Sequence, residues 1–258
     1  MAVILGGNDT LPQIALTQSQ TFVPPQDGNI CIHVIGAGGS GTATSGQAFN
    51  GGAGGYCKKN SLAVTTGGSF TVVVGVGAAR SATTSAAGGN STVAGTGLSS
   101  TLTANGGAGG VGTGAAGGSA SNGDVNNTGG AGYAGSRGGG GAVGVYGTGE
   151  AGVGNIRGGD SDAQGGESGF GHIGGGGKGG IASYNGSNTN GPIGISQAPD
   201  ASGPFAGGGS MLGSNGNTIY FAGNGGTGGG GGGCACPGGT PFSGAGGDGL
   251  VLIQYLPS

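Results

Sequence analysis

The residues that could do chemistry are few. The most tempting arrangement is Ile35-Gly36-Ala37-Gly38-Gly39-Ser40-Gly41, a G-x-G-x-x-G run directly after an apolar stretch that reads as a strand. That is where a dinucleotide-binding turn would stand. Such a turn needs a helix opening at its third glycine and an acid about 20 positions on. Residues 42–55 carry no helical pattern, and the first acid after Asp27 is Asp124. Cys234-Ala235-Cys236 could offer two thiolates to a metal, with Cys31, Cys57 or His33 completing the set. The spacing fits none of the usual zinc patterns. Small buried thiols, or a disulfide between distant segments such as Cys57 and Cys234, account for the cysteines better. Asp160, Asp162 and Glu167, with Glu150 near in sequence, supply the paired carboxylates that glycoside hydrolysis requires, but solvated loop acids are the commoner meaning. His33 and His172 belong to no nucleophile signature. The reading is of a protein that is not an enzyme, without cofactor or metal.

A second set of residues suits binding. Tyr184-Asn185-Gly186-Ser187-Asn188, Pro204-Phe205 and Ile219-Tyr220-Phe221 combine aromatic rings with amides and hydroxyls. That vocabulary gives rigid contact area and adaptable hydrogen bonds. With Tyr146 and Phe170 they make a contact set of Tyr146, Phe170, Tyr184, Asn185, Asn188, Phe205, Tyr220 and Phe221. These residues sit in glycine-poorer inserts, and binding residues tend to lie on loops over a rigid scaffold.

The scaffold must be built from glycine, which supplies 78 of 258 residues. Glycine loses more backbone entropy on folding than any other residue and has no side chain to bury. Its use at this density makes sense where backbones approach too closely for a Cβ. The polyproline-II conformation meets that need: three residues per turn and no internal hydrogen bonds, so every N–H and C=O must pair with a neighbouring rod. A run such as residues 225–233 would make a rod roughly 28 Å long. Similar runs at 51–55, 106–118, 129–141, 174–180, 207–209 and 244–249 read as its neighbours. Collagen is excluded, because glycine does not fall at every third place and only nine prolines are present.

Around this lattice the chain reads as β structure. Ile30, Ile32 and Val34 share one face of a strand, residues 69–74 form another, and 91–94 with 98–103 make a hairpin. The closing Leu250-Val251-Leu252-Ile253-Gln254-Tyr255-Leu256 suits a strand buried on both faces that returns to this sheet. The fold class expected is all-β plus irregular: a small antiparallel β-sandwich-like domain with a long glycine-rich insertion packed as a polyglycine-II lattice. The expected organisation is an N-terminal attachment arm over 1–20, a β domain over 21–104 completed by 249–256, and the glycine domain with variable loops over 105–248. Six scattered basic residues give no phosphate-tracking patch, so nucleic acid is not an expected partner. No apolar run approaches the roughly 20 residues that cross a bilayer, and residues 1–5 lack the basic flank of a secretion signal.

Four elements carry a family resemblance: residues 34–39, 51–56, 69–75 and 246–253. Through them the chain resembles the glycine-rich tail appendage proteins of tailed bacteriophages, and its glycine block is similar to the tail-fibre tip adhesins of T-even-like phages. The resemblance implies a virion protein, assembled in the host cytoplasm as part of the tail appendage. Its partners would be other phage tail proteins and a host cell-surface receptor, an outer-membrane protein or a polysaccharide. Receptor contact falls on the inserts near 142–157, 160–173, 181–206 and 210–222, and a homotrimer is compatible with a fibre. The alternative is a purely structural virion protein that decorates a capsid, caps a tail or acts as a spacer.

Overall fold

The structure is a computed structural model that describes residues 2–5, 13–133, 147–149, 151–152, 183–185, 194–197, 207–208, 211–213, 218–236 and 239–257. Among these there is no helix. The fold is all-β, with an antiparallel sandwich joined to a lattice of glycine rods.

Alternating apolar residues build the sandwich. One sheet runs β1 (Ala2–Leu5), β2 (Gln13–Leu16), β18 (Leu250–Tyr255), β4 (Gly28–Ile35), β6 (Tyr56–Val64), β11 (Val125–Asn127); the other runs β10 (Ala120–Ser121), β9 (Leu102–Ala104), β8 (Ser91–Gly95), β7 (Phe70–Val73), β3 (Gln20–Phe22). Ile30, Ile32 and Val34 of β4 and Val251, Ile253 and Tyr255 of β18 turn inward onto Phe70, Val72, Val93 and Leu102 of the second sheet. Period-two alternation puts these side chains on one face, and their burial is what drives the two sheets together. β2 pairs with β18, and Ile14 and Leu16 enter the core. One expectation changes here. Strand β18 is not buried on both faces: Leu250, Leu252 and Gln254 are only half-buried, while their inward neighbours are covered.

At one end of the sandwich, glycine rods stand where hairpin loops would be. Strand β4 runs straight into the rod at 36–41, and the chain returns through 50–55 into β6. Likewise β7 leads out through 75–78 and back through 86–90 to β8, and β9 leads out through 105–110 and back through 115–119 to β10. The returning rod at 244–249 feeds β18. The first rod lies at the centre. Its successive N–H groups donate to three rods in rotation: Gly36 to Gly55 O (2.9 Å), Ala37 to Gly89 O (3.1 Å), Gly38 to Gly247 O (2.8 Å), then Gly39 to Gly52 O (2.9 Å), Ser40 to Ala86 O (3.0 Å) and Gly41 to Gly244 O (3.2 Å). Its carbonyls accept from three others: Ala37 O from Gly107 N, Gly38 O from Ala78 N, and Gly39 O from Gly231 N. Six neighbours reached in steps of three residues are what a threefold rod without internal hydrogen bonds requires. Thus the run that mimics a nucleotide-binding turn is the axis of the lattice. Rods from within 21–104 and from 105–249 interleave in it.

Residues 225–233 do not form one long rod. The chain folds back at Thr227-Gly228, where Gly229 N donates to Gly226 O (2.7 Å) and Gly228 takes φ 69°, as the third position of a type II turn demands. Two shorter rods result, one returning over 223–226 and one leading out over 229–233.

Candidate functional site

The rods project a second structured surface beyond the sandwich; at about 3.1 Å per residue, 36–41 spans about 19 Å. Here lie the loops 42–49, 79–85 and 111–114 and two short sheets. One runs β12 (Ser183–Asn185), β14 (Met211–Gly213), β16 (Cys234–Ala235), β5 (Ala43–Thr44); the other runs β13 (Gly194–Gln197), β15 (Thr218–Phe221), β17 (Thr240–Phe242). All their pairings are parallel. The rods impose this direction. Strands β5 and β16 each continue an outgoing rod, and the bonds Gly231 N to Gly39 O (2.9 Å) and Cys234 N to Thr42 O (3.0 Å) carry the rod register into the strands.

Alternation along β15 separates its aromatic residues. Tyr220 points between the two sheets and is fully buried with Ala43, Ala222, Cys234 and Cys236. It therefore has no surface to offer a ligand, contrary to its place in the contact set. Phe221 points the other way and is half-exposed. Its partner across the ladder is Phe242, and the two rings stack with centroids 5.0 Å apart and an interplanar angle of 18°. Arg80 reaches over from the loop 79–85, its guanidinium carbon 5.1 Å from the Phe221 centroid. Arg80 Nη2 donates to Asn224 Oδ1 (3.0 Å), which also accepts from Ala245 N (2.8 Å).

The Arg80 loop is fixed rather than loose. Ser81 N donates to Ser243 Oγ (3.0 Å) and Ser243 N donates to Ser81 O (2.9 Å), pinning it beside Phe242. Ser81 Oγ in turn accepts from Thr83 N and Thr84 N, leaving both threonines exposed at the loop tip. The result is a shelf of two stacked rings with a cation over one of them, held on two rods and a tied loop.

Of the other expected contact residues, Tyr184 and Asn185 lie on β12, in register with Leu212 and Gly213 of β14. Tyr146, Phe170, Asn188 and Phe205 lie outside the described residues, as do Glu150, Asp160, Asp162 and Glu167. Arg80, Phe242 and Asn224 were not anticipated. One signal was available: Arg80 is the single charged residue between Lys59 and Asp124, set in a Ser/Thr/Ala stretch between two glycine runs.

The cysteines and His33 resolve differently. All four thiols are free and buried, and Cys57 sits in the sandwich core while Cys234 sits under Tyr220. Burial pushes both Cys57 and Cys234 up to about 12. Cys31 and His33 do share a strand face, with Cys31 Sγ 3.3 Å from His33 Nε2. Tyr56 Oη lies 2.7 Å from Nδ1, and Gln254 Oε1 lies 3.0 Å from Nε2. A neutral imidazole protonated on Nε2 donates to Gln254 and accepts from Tyr56, with Cys31 Sγ beside the same Nε2. Desolvation holds this imidazole down to about 4. No cluster of three or more metal-ligating side chains occurs among the described residues.

A family described as a glycine-rich domain matches residues 15–256, from β2 through β18. The chain belongs to this glycine-rich domain family. The match takes in sandwich and lattice together, in keeping with rods that are continuations of strands. No curated protein matches the chain.

Proposed function

We propose that this glycine-rich domain protein is a bacteriophage virion adhesin, a tail-fibre or tail-tip component that presents loops on a polyglycine-II scaffold to a receptor on the host cell surface. The observation that carries the reading is the division of labour along the rods. A conventional apolar sandwich closes one end, and the other end carries a half-exposed aromatic pair with an arginine on tied loops. The sandwich would seat the protein among other tail proteins, and the loop end would face the cell. Exposed side chains at that end can change without touching the rods, as a receptor-binding surface requires.

The test is adsorption competition. Purified protein is mixed with host cells before the parent phage is added, and unadsorbed phage is counted. Intact protein is expected to leave more phage free, and a variant with Arg80→Ala and Phe242→Ala is expected to lose that effect while melting like the intact chain. Protein that neither binds cells nor blocks adsorption would sink the adhesin reading. The column of rods would then serve as a structural spacer in the virion.

A further inference from the structure

The receptor chemistry can be narrowed from the shelf itself. Resting on the adhesin reading, we propose that Arg80, Phe221 and Phe242 form a saccharide subsite that takes an acidic sugar, a uronic or nonulosonic acid unit of a surface polysaccharide. Three observations converge. First, the stacked pair offers a rigid, half-exposed apolar surface already ordered before any ligand arrives. The C–H face of a pyranose is an apolar patch of matching kind, and pre-ordering spares the entropy of binding.

Second, Arg80 is positioned, and no described residue neutralises it. Among the described residues, one of its five N–H donors is engaged, by the neutral amide of Asn224, and the only ion pair is Lys59 with Asp124 in the sandwich. The planar guanidinium lies over the Phe221 ring, and its remaining donors suit a carboxylate in forked geometry. A sugar carboxylate and a C–H face lie on the same small ring, so one acidic unit satisfies both features. Third, Thr83 and Thr84 are exposed in the same loop as Arg80, their backbone held by the Ser81 turn and the Thr84 hydroxyl 3.2 Å from Ser81 Oγ, and such side chains suit the hydroxyl groups of a sugar. A nucleic acid would need a track of cations along its phosphates, and Arg80 is the only basic residue described at this end.

The test uses the full chain and defined polymers: alginate, polygalacturonate and colominic acid, each beside its carboxyl-reduced form. Binding is read by interferometry at low and high salt. The expected result is binding to at least one acidic polymer and its loss on carboxyl reduction, with affinity falling as salt rises. Arg80→Gln should weaken binding by about tenfold or more, since a hydrogen bond to a charged group contributes that much. Arg80→Lys, which keeps the charge without the fork, should recover only part. An unchanged melting temperature in both variants shows that the shelf still folds. Equal binding to acidic and reduced polymers, no binding to any of them, or full affinity in Arg80→Gln would each overturn the assignment. Failure here with adsorption competition intact would leave the adhesin reading standing, with a protein receptor in place of the sugar. Failure of both would remove the adhesin reading as well.

Discussion

The lattice makes a sharp prediction at Gly38, in the central rod. A Cβ built there would lie 2.5 Å from the Gly229 carbonyl carbon and 3.1 Å from Gly230 N, with the Gly229 oxygen closer still. Carbon atoms ordinarily meet at about 3.5 Å, so Gly38→Ala must force the two rods apart by about 1 Å. The move strains two buried bonds that lock those rods, Gly231 N to Gly39 O (2.9 Å) and Cys234 N to Thr42 O (3.0 Å). Each such bond contributes about 0.5–1.5 kcal/mol net, and overpacking costs about 1–3 kcal/mol. Against this, alanine reduces the entropy of the unfolded chain by about 0.4–1 kcal/mol. The balance is a destabilisation of about 3 kcal/mol. With a urea slope of about 3 kcal/mol/M, the midpoint should fall by about 1 M at constant slope. Gly46→Ala is the control, because nothing lies within 4 Å of its would-be Cβ, and its midpoint should move by less than about 0.2 M. Equal midpoints for the two variants would refute close rod packing as the reason for glycine.

Three further outcomes follow from groups that are buried or held in hydrogen bonds. His33 titrates at its ordinary 6.5 when unfolded but is held near 4 when folded, so the unfolded state takes up the proton first as pH falls. The stability it contributes above pH 6.5 should therefore decline between pH 6.5 and 4, by about 3 kcal/mol in all, and His33→Gln should flatten that part of the urea-midpoint profile. A slope unchanged in the variant would place the pH dependence elsewhere. Cys57 and Cys234, held up to about 12, should resist maleimide labelling at pH 7 in the folded protein and react once it is unfolded in urea, as mass spectrometry would show; rapid labelling of the native chain would contradict their burial. Deamidation needs the following backbone nitrogen to attack the asparagine side chain. At Asn50-Gly51, Asn105-Gly106, Asn122-Gly123 and Asn224-Gly225 that nitrogen is already donating, to Gly231 O, Asn90 Oδ1, Asn126 Oδ1 and Ala245 O respectively. Peptide mapping after mild alkaline storage should find these four amides intact in the folded chain and converted in the unfolded one.

Much of the sandwich was legible because burial obeys a period. The inward set Ile30, Ile32, Val34 and the closing strand could be read from apolar residues alone. The half-covered outer face of β18 could not, since Leu250 and Leu252 look the same in sequence whether one or two layers cover them. The lattice was legible in kind but not in layout. A glycine run announces close approach, yet it carries no side chains to say where the chain turns, so Thr227-Gly228 looks like rod interior in sequence. A subtler signal lay in the non-glycines, which fall three apart: Ala37 and Ser40; Asn50, Ala53 and Tyr56; Asn105, Ala108 and Val111; Ala245 and Asp248. That spacing keeps side chains on one edge of a threefold rod and marks residues 36–41 as lattice. The shelf was half legible. Phe221 stood among aromatic neighbours, but Arg80 lies more than 140 residues before it and meets it only because two rods deliver them to the same place.

The rods also explain why Asn50 and Ser40, fully buried polar residues, are tolerated in an interior otherwise nearly all glycine and alanine. Asn50 Oδ1 accepts from Gly233 N (2.7 Å) and its Nδ2 donates to Tyr133 O (2.9 Å), while Ser40 Oγ accepts from Ala86 N (3.0 Å). Gly233 N is buried, and without Asn50 Oδ1 it would lose this partner, a cost of about 1–3 kcal/mol. Asn50 and Ser40 both sit near the outer ends of their rods, where outgoing and returning chains stop matching in length. The polar side chains thus close the bond pattern where backbone alone cannot. The loops beyond are free to differ because the lattice is already satisfied beneath them.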